Sequence, residues 1–221
     1  MSTVITDIID HLAGIEPGSS LDALRACRLQ ARENAQKSYL ALFEPELPGN
    51  VSALERYAVA TFVAGLHRQS RVADFYESGL QKIGRPDIAD VIDAEVARGS
   101  VEGPYGHYPQ GSLSAEDEEG LDYRVFPGHT EILGPRLVAA FEHAHLLVFH
   151  PRDADPAALQ KLLDAGWSTT DIVTLSQLVA FLSFQIRVVA SLRVLAVASE
   201  HDAADIDQGP VLTALLASST I

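Results

Sequence analysis

The chain has 221 residues, of which 47% are apolar and 21% charged, enough to bury a sizeable core. Thirty acidic and sixteen basic residues give a net charge of −14 with no basic stripe, which speaks against a nucleic-acid partner, since phosphate binding needs clustered Lys and Arg. One cysteine, Cys27, rules out any disulfide within the chain and fits a cytoplasmic protein.

The opening "MSTVITDIIDHLAG" lacks a basic region and a small-residue cleavage site, so no secretory signal is expected. In "VITDIIDHLAG", Val4, Ile8 and Leu12 share one helical face and Gly14 stops it. A second helix opens at a Ser cap in "SSLDALRACRLQARENAQKSYLALF" and runs to "PELPGN" at 45–50. Ser52 followed by Glu55 is a capping box, and the apolar pattern behind it predicts one long helix over 53–80. "GRPDIADVIDAEVARG" adds a shorter helix with Pro86 in its first turn.

The periodicity then collapses. Residues 99–129 hold six glycines, three prolines and an acidic run, and read either as an acidic connector or as a lid that presents Tyr105 and His107. Helical signal returns at Thr130. A short helix follows Asp155 and Pro156 and stops at Gly166. Ser168 and Asp171 open the last long helix, 169–199, in which Gln177, Gln185, Arg187 and Arg193 interrupt an apolar run and argue for a buried helix rather than a membrane span. The polar "HDAADIDQG" and an apolar end expected to dock on the body complete the chain. No period-two alternation is present. The expected fold is all-α, with helical halves over 1–98 and 130–221 joined by the 99–129 segment.

Residues 62–76, "FVAGLHRQSRVADFY", and 178–192, "LVAFLSFQIRVVASL", agree at six of fifteen positions, including Gln69/Gln185 and Arg71/Arg187. Each follows a Ser-capped turn with an acid, Glu55 or Asp171, three residues on. The pattern suggests an internal duplication in which two similar units share a core.

"PAALQKLLDAGWSTTDIVTLSQLVAFLSFQIRVVASLRVL" resembles the C-terminal half of peroxidase-related proteins in the carboxymuconolactone decarboxylase/alkylhydroperoxidase D-like superfamily. "ALERYAVATFVAGLHRQSRVADFYESGLQKIG" is similar to the superfamily's core helix. The resemblance covers roughly residues 50–98 and 130–198. It implies an all-α fold that assembles as a homo-oligomer (dimer, trimer or hexamer), with a pocket beside the core helix. The redox dithiol of the alkylhydroperoxidase-like members is missing: its cysteine positions fall on Gln69 and Val72, the following His on Tyr76, and the relay Glu on Tyr57, with Glu55 nearby. Neither Gln nor Val forms a thiolate, so dithiol peroxidase chemistry is excluded.

The superfamily's lactone decarboxylases work without a cofactor. The resemblance therefore implies acid–base chemistry on a small organic acid or lactone, with His67, Arg71, Tyr57 and Tyr76 as catalytic candidates. Gln69, Arg68, Glu55, Tyr105 and His107 are candidates for holding the ligand. On one helix His67 and Arg71 would share a face; the stronger reading of the residues is a polar helix face at a subunit interface, with Arg71 and Arg187 paired to carboxylates for structure. "EHAHLLVFH" brings His143, His145 and His150 close in sequence, but residues two apart on a helix point apart, so they are expected to be structural or interface histidines and no metal site is expected. Two alternatives stand beside the enzyme reading: a redox-silent binding or assembly module, and an antioxidant protein that uses Cys27 with a partner's thiol.

Overall fold

The computed structural model describes residues 5–207, with side chains as far as residue 198; the apolar end of the chain lies outside the described residues. Among the described residues the protein is all-α, without a strand. The helices are α1 (Ile8–Ala13), α2 (Ser20–Ala26), α3 (Leu29–Phe43), α4 (Ala53–Leu66), α5 (Ser70–Ile83), α6 (Pro86–Gly99), α7 (Thr130–Phe149), α8 (Pro156–Asp164) and α9 (Thr169–Asp207).

Helix α4 is the centre of the bundle. Its sequence is apolar on every side, and every residue from Ala58 to Ala64 is buried, as a helix surrounded by other helices requires. It packs against α5, α6, α7 and α9. Two glycines permit the closest approaches. A Cβ on Gly79 of α5 would sit 2.3 Å from the Tyr57 ring, and one on Gly65 would sit 2.6 Å from a Val96 methyl. The ends of α4 and α9 follow their sequence signals: Ser52 and Glu55 form the expected capping box, and Ser168 and Asp171 exchange the same pair of hydrogen bonds.

The long helix expected over 53–80 is not continuous. It breaks at residues 67–69 and folds back, so that α4 and α5 pack on each other. The Gln69 N–H donates to the Ala64 carbonyl (3.1 Å) and the Arg68 N–H to the Gly65 carbonyl (2.8 Å), with Arg68 left-handed at φ 56°. This is the helix-ending motif that normally carries glycine at the left-handed position, here built on an arginine. Arg68→Gly is therefore expected to raise the unfolding free energy by about 1 kcal/mol, because a non-glycine residue is strained there and the Arg68–Glu102 pair it removes is exposed on both sides. A denaturant midpoint that falls in the variant would contradict this.

The helix expected to run from the Ser cap to residue 43 also divides, at Cys27 and Arg28, into α2 and α3. An ion-pair cluster ties the resulting corner. Arg25 pairs with Asp7 (2.7 Å) and Asp10 (2.5 Å), and Arg32 pairs with Asp7 (2.8 Å), Asp22 (2.7 Å) and Asp10.

The two segments with repeated residues do not adopt one shape: 62–76 is helix, turn and helix, whereas 178–192 lies inside α9. Two stretches, Pro127–Phe149 and Thr169–Ala198, are long and apolar enough to cross a membrane by length and composition, with mean hydropathies of 1.3 and 1.8. In the fold α7 and α9 both pack against α4 and against each other.

Candidate functional site

The residues singled out around 53–76 do not converge on a cavity. His67 caps the C-terminus of α4 and Arg71 lies beyond the turn, so the shared helical face expected for them does not exist. Arg71 is exposed; its guanidinium lies 3.4 Å from where a Gly14 Cβ would be and reaches the His11 carbonyl at 3.5 Å. Arg68 is exposed, and Gln69 precedes α5 without capping it. His67 is half-buried with Nε2 unpartnered, and burial, together with the Arg187 guanidinium, pushes its pKa down to about 4.

The two tyrosines belong to an aromatic cluster. Phe43 stacks on Tyr76 at 4.8 Å and meets Tyr57 at 5.3 Å. The Tyr76 hydroxyl, fully buried, donates to Gln185 Oε1 at 2.6 Å. Burial holds that phenol protonated well above its ordinary range, which makes it a structural donor. Glu55 closes the capping box of α4 and pairs with Arg136 at 2.6 Å.

A different part of the chain forms a half-open cavity. A cavity of about 340 Å³ lies between α7, the start of α8 and the 100–129 segment. Helix α7 contributes Ala139, Glu142, His143 and Leu146, whose three- and four-residue spacing places them on one face. The segment between the halves supplies the opposite wall with His107 and residues 118–124, and α8 supplies Lys161. That segment, open between connector and lid in the sequence, folds against α7. The Tyr105 N–H donates to the Phe149 carbonyl (2.6 Å), and Gly106 and Glu118 exchange backbone hydrogen bonds.

Most polar groups of the cavity are already engaged. His150 sets Nδ1 against Asp153 (3.2 Å) and Nε2 against the Leu121 carbonyl (3.1 Å), and its ring packs on Tyr105 at 5.3 Å. His107 lies between Glu119 (3.1 Å) and Asp153 (3.5 Å), and the hydrogen bond and charge of Glu119 lead in raising its pKa. His145 turns Nε2 to the Gly99 carbonyl (3.0 Å) and stacks on Tyr123 at 4.6 Å; burial pushes its pKa down to about 4. Glu142 accepts from Arg124 and the Val125 N–H.

His143 is the exception. It is 5% exposed, it lines the cavity, and neither ring nitrogen has a hydrogen-bond partner. Burial lowers its pKa, so at neutral pH it offers one N–H and one lone pair. Among the described residues no group of three or more His, Cys, Asp or Glu side chains is placed to hold a metal ion. The sequence pointed to "EHAHLLVFH" and read its histidines as structural or interface residues. In the structure His145 and His150 are hydrogen-bonded, whereas neither ring nitrogen of His143 has a partner.

A second cavity, about 540 Å³, lies between α3, residues 45–51 and α9. Its arginine, Arg56, is spent on the carbonyls of Val51 (3.0 Å), Leu42 (2.7 Å) and Pro48 (2.9 Å), which leaves a mostly apolar hollow beside Leu47 and Phe181. Cys27 is exposed at the end of α2, outside both cavities. No protein-family model matches the chain, and no curated protein matches it.

Proposed function

We propose that this chain binds a small organic molecule in the cavity between α7, α8 and residues 100–129, and that His143 is its proton-transfer group. The observation that carries the reading is the buried imidazole with two unpartnered nitrogens in a wall where the other histidines are bonded. A buried polar group without a partner costs stability, and such costs persist where a ligand completes the hydrogen bonds. The resemblance to the carboxymuconolactone decarboxylase/alkylhydroperoxidase D-like superfamily enters here as a proposal, supported by the all-helical bundle and by the paired Ser-capped helices α4 and α9. On this reading the chemistry is acid–base and dithiol-free, with the site moved from the 67–76 turn to α7.

The test is a thermal-shift and turnover screen of lactones, organic acids, amines and hydroperoxides on wild type, His143→Leu and Arg71→Ala. The His143 variant is expected to be more stable than wild type when unliganded, by about 1–2 kcal/mol, because it removes an unsatisfied buried group of similar volume. It is also expected to lose the compound's stabilising effect. A compound that depends on Arg71 and not on His143 would return the site to the turn.

A second reading, self-association, has its own observation. Helix α9 exposes Val173, Ala180, Phe184, Ser191 and Val194 at three-, four- and seven-residue spacings, with Val194 70% and Phe184 46% exposed. No acidic residue occurs between Asp171 and Glu200. On a chain of net charge −14, this carboxylate-free stripe is where a second copy meets least repulsion. Light scattering after size exclusion should show an oligomer for wild type and a monomer for Phe184→Glu; an unchanged mass would remove this face from the interface.

A further inference from the structure

The charge of the cavity and the state of His143 together select among ligands. Six carboxylate side chains line the space, against Arg124 and Lys161 as permanent cations. Arg124 is committed to Glu142 (3.1 Å) and Asp122 (3.1 Å), and His107 to Glu119 and Asp153. Asp155 accepts from the Ala158 N–H at the start of α8, and Glu118, whose backbone is bridged to Gly106, is an exposed residue of the lining. The internal pairs do not cancel the surplus of negative charge. An acidic lining alone would be a solvated surface. What makes this one a site is the half-open cavity together with His143, which lines it while 95% removed from solvent and has no hydrogen-bond partner on either ring nitrogen.

We infer, resting on the cavity reading above, that the ligand is a small organic cation, an alkyl ammonium or diammonium, that donates an N–H to His143 while the surrounding carboxylates hold its charge. The complementarity is electrostatic and directional. An ammonium donating to a neutral imidazole makes a charge-assisted hydrogen bond, stronger than a neutral one. The carboxylates attract it as a group of like charges around one opening; the Glu119 and Asp122 side chains are 90% and 80% exposed, so this attraction is screened by salt. A carboxylate ligand of the same size would meet like charges and an imidazole with a single N–H to give. The organic acid expected from the sequence drew on Arg71 and His67, neither of which lines the cavity. About 340 Å³ admits a metabolite-sized molecule.

The experiment uses the full chain and three probes with one four-carbon skeleton: 1,4-diaminobutane, 1,4-butanediol and succinate. Each is titrated while the ring ¹⁵N signals of His143 and the melting temperature are followed. The diamine is expected to move the His143 signals and to bind at least about tenfold more tightly than the diol, with succinate weaker still. The affinity should fall as salt is raised and as Glu118 is changed to Gln, and the effect on melting should vanish in His143→Leu. Equal or tighter binding of succinate or the diol at His143 would overturn the cationic ligand and leave the cavity reading standing. Stabilisation by the diamine that survives His143→Leu would show general screening of an acidic chain and overturn the inference as well. If none of the three moves His143, the cationic ligand is overturned; the cavity reading falls with it only if the broader screen also finds no compound that depends on His143.

Discussion

Replacing Arg136 with alanine is expected to lower the unfolding free energy by about 3 kcal/mol and the melting temperature by roughly 6–12 °C. This α7 side chain joins two helix starts that are distant in sequence. Its Nε donates to Glu55 (2.6 Å), the acid of the α4 capping box, and Nη1 lies 3.8 Å from Asp171, the acid of the matching turn of α9. Nη1 also donates to the Gly166 carbonyl (2.5 Å), the guanidinium lies 4.2 Å from the Trp167 ring centroid, and the Trp167 indole N–H donates back to the Arg136 carbonyl (3.0 Å).

Removing the arginine leaves Glu55 and Asp171, 8% and 4% exposed, facing each other's region without a countercharge. A broken buried pair costs about 3–5 kcal/mol. The lower end applies because the Arg136 side chain is 27% exposed and its Nη2 already lacks a partner. Arg136→Lys should recover part of the loss, since an ammonium supplies the charge without the fork or the stacking face. Denaturant midpoints decide the matter: a loss under about 1 kcal/mol would mean that the pair behaves as a surface bridge.

The caps meeting at Arg136 were legible in the sequence because capping is local chemistry. Ser52 with Glu55, Ser168 with Asp171, Asp155 before Pro156, and the stops at Gly14 and Gly166 each need only a few consecutive residues. The turn after α4 was not legible for the converse reason. Its left-handed residue is Arg68, inside the polar run 67–71 that holds neither glycine nor proline to mark a stop, and apolar spacing resumes at Val72. Everything built on helical spacing across residues 67–71 failed with it, since His67 ends one helix and Arg71 belongs to the next. The recurrence of Gln and Arg has no shared geometry: Gln185 is buried against Tyr76, whereas Gln69 is half-buried at a turn. The cavity escaped notice because its walls come from residues near 107, 118–124, 139–146 and 161, whose meeting depends on the path of a segment without periodicity. The sequence offered both pieces, "EGPYGHYPQG" and "EHAHLLVFH", and no rule to join them.

Glu95 sets that path, and Glu95→Gln is the second substitution expected to have a large effect, about 2–3 kcal/mol in stability together with weaker ligand binding. The carboxylate is fully buried on α6 and gathers three donors from the segment that walls the cavity: the Tyr123 hydroxyl (2.6 Å), the Phe126 N–H (2.9 Å) and His129 Nδ1 (2.6 Å). Burial alone would raise its pKa; the hydrogen bonds from Tyr123, Phe126 and His129 outweigh burial and hold the carboxyl below its ordinary range. A carboxyl depressed in the folded state stabilises the fold above its unfolded pKa and ceases to do so as pH falls through the folded value. The gap in stability between wild type and Glu95→Gln should therefore be full at neutral pH and shrink below about pH 4.5, toward the pH at which both carry a neutral group. Glutamine keeps the volume and one acceptor oxygen but turns an NH₂ toward donors, so residues 121–129 should exchange amide hydrogens faster while α4 stays protected. With that wall loosened, the ligand affinity measured at His143 should drop although His143 itself is untouched. A stability gap that stays constant through acid pH would instead mean that Glu95 is protonated in the folded protein and that the clamp is a network of neutral hydrogen bonds.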